Sequence, residues 1–349
     1  MNLLDVSKLT PELVQVFLDR YEILRVISNN QPIGRRGIAK LLSLNERYVR
    51  NQTEVLSDLH YIATKETGMT ITFEGQQILQ LSSKYAQAFR NVEILEDRIQ
   101  SALAVSRIHV VDADIGGYFN SGLFASTAGD LVLESIHDNS IVGITGGSTM
   151  KLIVDGMPSD TEKKNVIVVP ARGSLGKKYE YQSNAIVEIF AEKIHADYFT
   201  INFPDQMDAE WIQTSELSED IQKYNDLIEN IDVLVFGIGR ADTMAGRRGL
   251  RPSTLSILEK NGAVAEAFGN YFDLEGNILY ESKSIGLGLE GYNRVDRVIA
   301  VAYGIEKVEP IIALSKVRKD ITIIIDLDCA EQLASKLRLF SSNYFKGGV

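Results

Sequence analysis

The sequence predicts an α/β protein, with an N-terminal winged helix-turn-helix domain followed by a doubly wound parallel-sheet domain. Three observations carry that expectation. From residue 107 onward, short apolar runs alternate with helix-permissive stretches, the pattern of a parallel sheet covered on both faces. Before that, two short helical segments meet at a tight turn and lead into two alternating stretches separated by the turn Glu66-Thr67-Gly68. Finally, the charge is unevenly spread. The 349 residues hold 36 Lys and Arg against 47 Asp and Glu, a net charge of −11, yet residues 34–50 hold five bases and one acid, Glu46. A local basic patch on an acidic chain suits a small DNA-binding module attached to a larger domain.

Residues 9–26 repeat apolar side chains at three- and four-residue spacing (Leu13, Val16, Phe17, Tyr21, Leu24) and are expected to be helical, with Thr10 as cap and Pro11 at the first helical position. Asn29-Asn30-Gln31-Pro32 ends this helix. A short helix is expected over 33–42, with Ile38, Leu41 and Leu42 on one face. The turn Ser43-Leu44-Asn45 follows, and Asn45 is placed to cap a second helix over 46–59. Residues 61–64 and 69–73 then form the wing hairpin, closed by Phe73-Glu74-Gly75. In such a module the second helix enters the major groove by its N-terminal half. Arg47, Tyr48, Arg50 and Asn51 are its expected exposed positions, and Arg35, Arg36 and Lys40 are expected at phosphates. For Arg35, Arg36 and Lys40, each taken alone, a solvated helix face is the rival explanation.

Residues 76–105 read as a long linker helix with an apolar stripe of Val92, Leu95, Ile99 and Leu103. The stripe suits either a dimer seam or a seat on the larger domain. The expected boundaries are therefore 1–88 for the winged domain, 89–106 for the linker and 107–349 for the sheet domain.

In the second domain, strands are expected at 107–113, 140–145, 165–169, 199–203, 232–237, 298–302 and 321–325. Helices are expected at 119–136, after 149, at 184–195 and at 221–228, and after each of the last two strands. Ligands bind beyond the carboxyl ends of the strands in open sheets of this kind. The strand at 140–145 runs into Gly146-Gly147-Ser148-Thr149 and then a helix. That geometry aims backbone N–H groups at an anion, while glycine removes the Cβ that would block its approach. A plain strand-to-helix turn with a hydroxyl cap explains the same residues. The other strand ends tip the balance toward an anion. Arg172 and Gln182 follow the third strand, Arg247 and Arg248 follow Gly237-Ile238-Gly239, and Lys307 follows Gly304. Cations converging with a helix N-terminus in an acidic domain suit a phosphorylated ligand. Glu266, in the apolar stretch 264–269, is a candidate acceptor for sugar hydroxyls. Its alternative is a salt bridge to Arg247 or Arg248.

One cysteine, Cys329, permits no internal disulfide and suits a packed thiol in a reducing cytoplasm. Four scattered histidines make no zinc cluster, so no metal is expected. No apolar run approaches the ~20 residues of a membrane span, and the N-terminus lacks the signal-peptide pattern.

The motif order is Pro32-Ile33-Gly34-Arg35-Arg36, Thr145-Gly146-Gly147-Ser148-Thr149, Val169-Pro170-Ala171-Arg172-Gly173, Gly237-Ile238-Gly239 with Thr243-Met244-Ala245 and Arg247-Arg248, then Ala265-Glu266-Ala267-Phe268-Gly269. Over nearly the whole chain this resembles the SorC group of transcription regulators, in the branch that controls glycolytic operons. The resemblance implies a repressor that binds operator DNA as a homodimer or homotetramer and responds to fructose 1,6-bisphosphate, with no cofactor. It implies an effector domain similar to sugar-phosphate isomerases and deaminases. It implies effector contacts from Gly146, Gly147, Ser148, Thr149, Arg172, Gln182, Arg247, Arg248, Glu266 and Lys307. The family carries a second threonine where Ser148 stands, so the hydroxyl is retained. The competing expectation is an isomerase or deaminase with a DNA-binding appendage. It would need a carboxylate base, for which Asp242 and Glu266 are the candidates.

Overall fold

The computed structural model describes residues 11–42, 44–65, 67–89, 92–113, 119–159, 161–173, 178–201, 219–282 and 285–339. Two compact units emerge: residues 1–94 with 112–120, and residues 95–111 with 121–349. Among the described residues, no helix is long and apolar enough to cross a membrane. The expected cap Thr10, the turn residue Ser43 and the segment 340–349 lie outside the described residues.

In the first unit, α1 (Pro11–Asn30) runs four residues further than the periodicity implied, and is followed by α2 (Arg35–Leu41) and α3 (Glu46–Asp58). Asn45 caps α3 as expected, its side chain accepting the Arg47 N–H at 2.8 Å. Strands β1 (Ile62–Lys65) and β2 (Gly68–Ile71) pair antiparallel, with Lys65 opposite Gly68 across a two-residue connection. Ile33 adds a bridge to Met69, so a third segment lies along the hairpin. Ile23, Val26, Ile27, Ile38, Val49, Leu56, Ile62 and Met69 form one buried core. That is the arrangement of a winged helix-turn-helix. The segment Phe73-Glu74-Gly75 does not close the wing; it opens helix α4 (Phe73–Phe89). Thr72 caps it, its hydroxyl accepting the Gly75 N–H at 3.0 Å. A side chain at position 75 would lie 2.0 Å from the Tyr61 carbonyl oxygen, so glycine lets this helix lie against the hairpin.

The expected single linker helix is two helices, α4 and α5 (Val92–Leu103), with residues 90–91 outside the described residues. In α5, Leu95, Ile99 and Leu103 are buried. Residues 95–103 fold with the larger unit: the Val110 N–H donates to Glu96 at 2.6 Å and the Lys319 amine donates to the Leu103 carbonyl at 2.8 Å. The apolar stripe is a seat on the larger unit, the second of its two expected roles.

The second unit is built on strands β3 (Arg107–Val111), β4 (Ile141–Ile144), β5 (Ile167–Pro170), β6 (Asp197–Tyr198), β7 (Val233–Gly237), β12 (Arg297–Ala302) and β13 (Thr322–Asp326). They form one parallel sheet in the order β3-β13-β12-β7-β4-β5-β6. The strand expected at 199–203 sits earlier, as β6, and residues 202–203 lie outside the described residues. Helices α6 (Ser121–Glu134), α7 (Ser148–Gly156), α8 (Ser183–Ile194), α9 (Glu219–Glu229), α10 (Ala241–Arg248), α11 (Pro252–Lys260), α12 (Leu289–Arg294), α13 (Val308–Val317) and α14 (Leu327–Lys336) complete the unit. The central strands are buried along almost their whole length, which is why they read as continuous apolar runs rather than alternating ones. Cys329 is buried in α14.

A second sheet was not anticipated. Strands β8 (Gly239–Arg240), β9 (Ala265–Ala267), β10 (Asn270–Phe272) and β11 (Ile278–Glu281) form an antiparallel sheet in the order β11-β10-β9-β8. It starts two residues beyond the end of β7. Its strands are two to four residues long, too short for a periodic signal to emerge.

Candidate functional site: a cationic cleft at the switch point of the sheet

The chain leaves β4 on one side toward β5 and β6, whereas β7 lies on its other side and leads toward β12 and β13. The strand order therefore reverses between β4 and β7, the position at which open parallel sheets bind ligands. A cleft of about 380 Å³ lies there, beyond the carboxyl ends of these strands, within the usual range for small-molecule sites.

The glycine turn forms one wall. Gly147 has φ +118° and ψ 165°, a region that is essentially closed to residues with a Cβ. It occupies the N-cap position of α7. Its N–H donates to the Tyr181 carbonyl at 2.8 Å, which ties the turn to the segment ahead of α8. The N–H groups of Ser148 and Thr149 belong to the first turn of α7, where no carbonyl precedes them inside the helix, so they are presented to the cleft with the two hydroxyls. The packing behind this turn is tight: a Cβ at Gly146 would stand 2.7 Å from the Tyr181 carbonyl oxygen.

The opposite walls carry charge. Arg172 follows β5, is 6% exposed, and presses its guanidinium to within 2.8 Å of where a Cβ on Gly269 would stand. Gly269 and Phe268 form the two-residue turn between β9 and β10, both with positive φ. Lys307 lines the cleft from the 3₁₀ turn before α13 and donates to the Ile238 carbonyl at 3.0 Å. Burial holds its amine below the usual lysine range; the Glu306 carboxylate opposes that, and nearby Arg247 and Arg240 add to it. Arg247 and Arg248 project from the last turn of α10.

The short antiparallel sheet brings Glu266 into place, because Gly239 of β8 pairs with it directly. Its Oε1 accepts the Gly269 N–H at 2.7 Å and receives the Arg248 guanidinium at 2.9 Å. Both side chains of the ion pair are about 5% exposed or less. The salt-bridge alternative is thus present, with Arg248 as the partner. The other carboxylate oxygen lies 2.9 Å from where a Cβ on the cleft-lining Gly239 would sit, and so remains on the cleft side. Asp242, the second acid considered as a base, is held by the Arg240 guanidinium, which keeps its carboxyl below the usual range.

Nine of the ten expected contacts line this cleft: Gly146, Gly147, Ser148, Thr149, Arg172, Arg247, Arg248, Glu266 and Lys307. Gln182 does not. It occupies the N-cap position of α8, where its carbonyl accepts the Ile186 N–H at 3.2 Å. Lys178, Tyr181 and Arg240 also line the cleft without having been expected there, as do Thr243, Met244 and Phe268, which belong to the quoted motifs but were not among the expected contacts. Arg240 was within reach of the sequence reading, being the first residue after Gly237-Ile238-Gly239. Tyr181 and Lys178 had no signal, since neither directly follows β5 in sequence.

In the first unit, Arg47, Arg50 and Asn51 are exposed on α3, as are Arg36 and Lys40 on α2, while Arg35 is half-buried. Arg36 pairs with Glu46 at 3.4 Å and Arg50 with Glu54 at 2.9 Å, both across exposed surface. Tyr48 departs from the expected exposed position. It is half-buried and its hydroxyl donates to Asp19 of α1 at 2.5 Å. Burial first, then the Asp19 carboxylate, pushes the phenol up to about 12. The helical period carries position 48 inward, one residue before the buried Val49.

Two family models match the chain. The model for the "CggR N-terminal DNA binding domain" covers residues 16–84, and that for the "Putative sugar-binding domain" covers residues 87–335. The central glycolytic genes regulator of Priestia megaterium is 32% identical over 95% of this chain and 98% of its own length. That of Bacillus subtilis is 30% identical over 94% and 96%. Among solved structures, a SorC-family transcriptional regulator from Enterococcus faecalis superposes with a TM-score of 0.63 at 30% identity, covering 68% of this chain and 98% of its own. With a winged helix-turn-helix unit, a cationic cleft at the switch point of the sheet and these relatives, the chain belongs to the SorC family of transcriptional regulators, as a sugar-responsive, DNA-binding regulator rather than an enzyme.

Proposed function

We propose that this regulator represses a glycolytic operon and that a phosphorylated sugar, fructose 1,6-bisphosphate first among candidates, relieves the repression. The observation that carries the reading is the cleft itself. A helix N-terminus with two hydroxyls faces Arg172, Arg247 and Lys307 across a space of small-molecule size. An anionic ligand with hydroxyls between its charged ends suits both the cations and the carboxylate of Glu266. The names of the relatives point to glycolytic genes, which makes a glycolytic sugar phosphate the natural effector. The DNA-bound form is proposed to be a homodimer or homotetramer. The mechanism is linkage. If the sugar phosphate binds the DNA-incompetent form more tightly, operator affinity falls by the same factor, typically ~1–3 kcal/mol.

The test is a thermal-shift titration against phosphorylated and unphosphorylated sugars, paired with fluorescence anisotropy on operator DNA. A ligand at ~100 times its dissociation constant stabilises by ~2.7 kcal/mol. The expected result is stabilisation by fructose 1,6-bisphosphate and release of the operator at the same concentrations. Stabilisation by free sugars alone would overturn the phosphate reading.

A further inference from the structure

Arg240 stands apart from the cleft's other cations. It is the last residue of β8, and it lines both the cleft and a neighbouring groove bordered by Asp242, Glu306, Glu309 and Lys336. Its guanidinium is 39% exposed and lies across the Asp242 carboxylate, with Nε at 3.0 Å and a terminal nitrogen at 2.5 Å. It is therefore a cation at the cleft wall held by a carboxylate on the groove side. Strand β8 packs against the 3₁₀ turn that carries Lys307, and Arg240 and Arg247 are close enough to act on the lysine: burial lowers its proton affinity most, Glu306 opposes that, and the two arginines lower it further. Three like charges share that end of the cleft. The glycine turn of Gly147, Ser148 and Thr149 is carried by β4 and α7, apart from the β8 and α10 elements that supply the arginines. A ligand with one phosphate satisfies the turn and leaves this group to the protein's own acids, Asp242 against Arg240 and Glu306 beside Lys307. A ligand with a second phosphate offers it a further anion from the cleft side.

We infer that Arg240 is a specificity-determining residue of the effector cleft: it exchanges its carboxylate partner, Asp242, for the second phosphate of a bisphosphorylated sugar and so discriminates bisphosphates from monophosphates. The inference rests on the effector reading above. One carboxylate contact is given up for one phosphate contact, and the phosphate brings the larger charge. The fork geometry of a guanidinium fits both acceptors, which is why arginine rather than lysine suits the position. The Arg240–Asp242 pair is solvent-accessible, and exposed pairs of this kind are weak. A phosphate dianion in the partly enclosed cleft is the stronger partner.

The experiment is isothermal titration of the full-length protein with fructose 1,6-bisphosphate and with fructose 6-phosphate. Arg240→Ala is expected to weaken the bisphosphate about ten-fold or more, the scale of a hydrogen bond to a charged group, and to leave the monophosphate within two-fold. Asp242→Asn, which frees the guanidinium, is expected to tighten the bisphosphate with no change for the monophosphate. Opposite signs for the two variants distinguish exchange from general damage to the cleft. Equal weakening of both ligands by Arg240→Ala, or no weakening of either, overturns the assignment while the effector reading stands. Failure of the unaltered protein to bind either ligand sinks the effector reading and this inference with it.

Discussion

Replacing Gly147 with alanine separates a phosphate cradle from a mere strand-to-helix turn. A Cβ at this position meets no atom within 4 Å, so crowding contributes nothing. The penalty is conformational. With φ +118° and ψ 165° the residue sits where a side chain costs about 1–3 kcal/mol. For a unit of this size each kcal/mol lowers the melting temperature by roughly 2–4 °C. The variant should therefore still fold and melt about 2–12 °C lower. The chain can relieve that strain only by rotating φ toward negative values. Rotation about that bond re-aims the Ser148 N–H relative to the Gly147 N–H, which now meets the Tyr181 carbonyl at 2.8 Å, so the two cannot both keep their places. The anion site is dismantled by the same motion that relaxes the backbone. Fructose 1,6-bisphosphate should therefore stabilise the unaltered protein by several degrees and the variant by none, while the variant still binds operator DNA without effector. The assay is differential scanning calorimetry with and without ligand, followed by anisotropy on the operator. An unchanged ligand-induced shift in Gly147→Ala would refute the reasoning and reduce the turn to scaffold.

Further outcomes follow from the same structure. Arg50→Ala should weaken operator binding by about 1–3 kcal/mol, the value of one good arginine contact, and leave sugar-phosphate binding untouched; anisotropy with an operator selected from random duplexes measures the first and calorimetry the second. Its exposed pair with Glu54 is weak enough to open for DNA. Tyr48→Phe should do the reverse, costing about 1 kcal/mol of stability through the lost Asp19 hydrogen bond with operator affinity unchanged. Because the folded phenol is raised to about 12, its stabilisation is full below pH about 10 and lost as pH rises through about 12; a pH series of denaturant melts that is identical for the variant would remove Tyr48 from the account. Lys307 should set an alkaline limit to effector affinity. Its ammonium is lost at lower pH than that of an exposed lysine, so affinity falls as pH rises past that depressed value. Lys307→Arg, charged throughout, should flatten the fall, and superimposable alkaline limbs would contradict the role.

Each class of feature was legible to the extent that its cause is local. The glycine turn could be read directly, since the chemistry of Gly146 to Thr149 depends on adjacent residues: a backbone needing positive φ, two hydroxyls, and an apolar strand before them. Asn45 as a helix cap and the parallel strands as unbroken apolar runs were legible for the same reason. Thr72 is equally local, but a threonine followed by Phe73-Glu74-Gly75 after an alternating stretch suits the end of a hairpin as well as the start of a helix. The sequence by itself also brought Gly146, Gly147, Ser148, Thr149, Arg172, Arg247, Arg248 and Lys307 to one site, because a doubly wound sheet must carry every post-strand loop to the same edge.

Tertiary structure decided the rest. Whether Glu266 is paired depends on Gly239 lying opposite it in a sheet of strands too short to be seen as a pattern. Tyr48 turns toward Asp19 because α1, some thirty residues earlier in the chain, packs beside α3. Gln182 leaves the site because α8 begins at that residue and takes it as a cap. Arg240 shows the same limit. Its position next to Gly239 was in plain view, but the carboxylate that holds it and the two cavities it divides are defined only once β8, α10 and the Lys307 turn are brought together. A residue's type and its neighbours in the chain determine which interactions it can make; which of them it makes depends on partners distant in sequence, and only the folded chain brings those within a few ångströms.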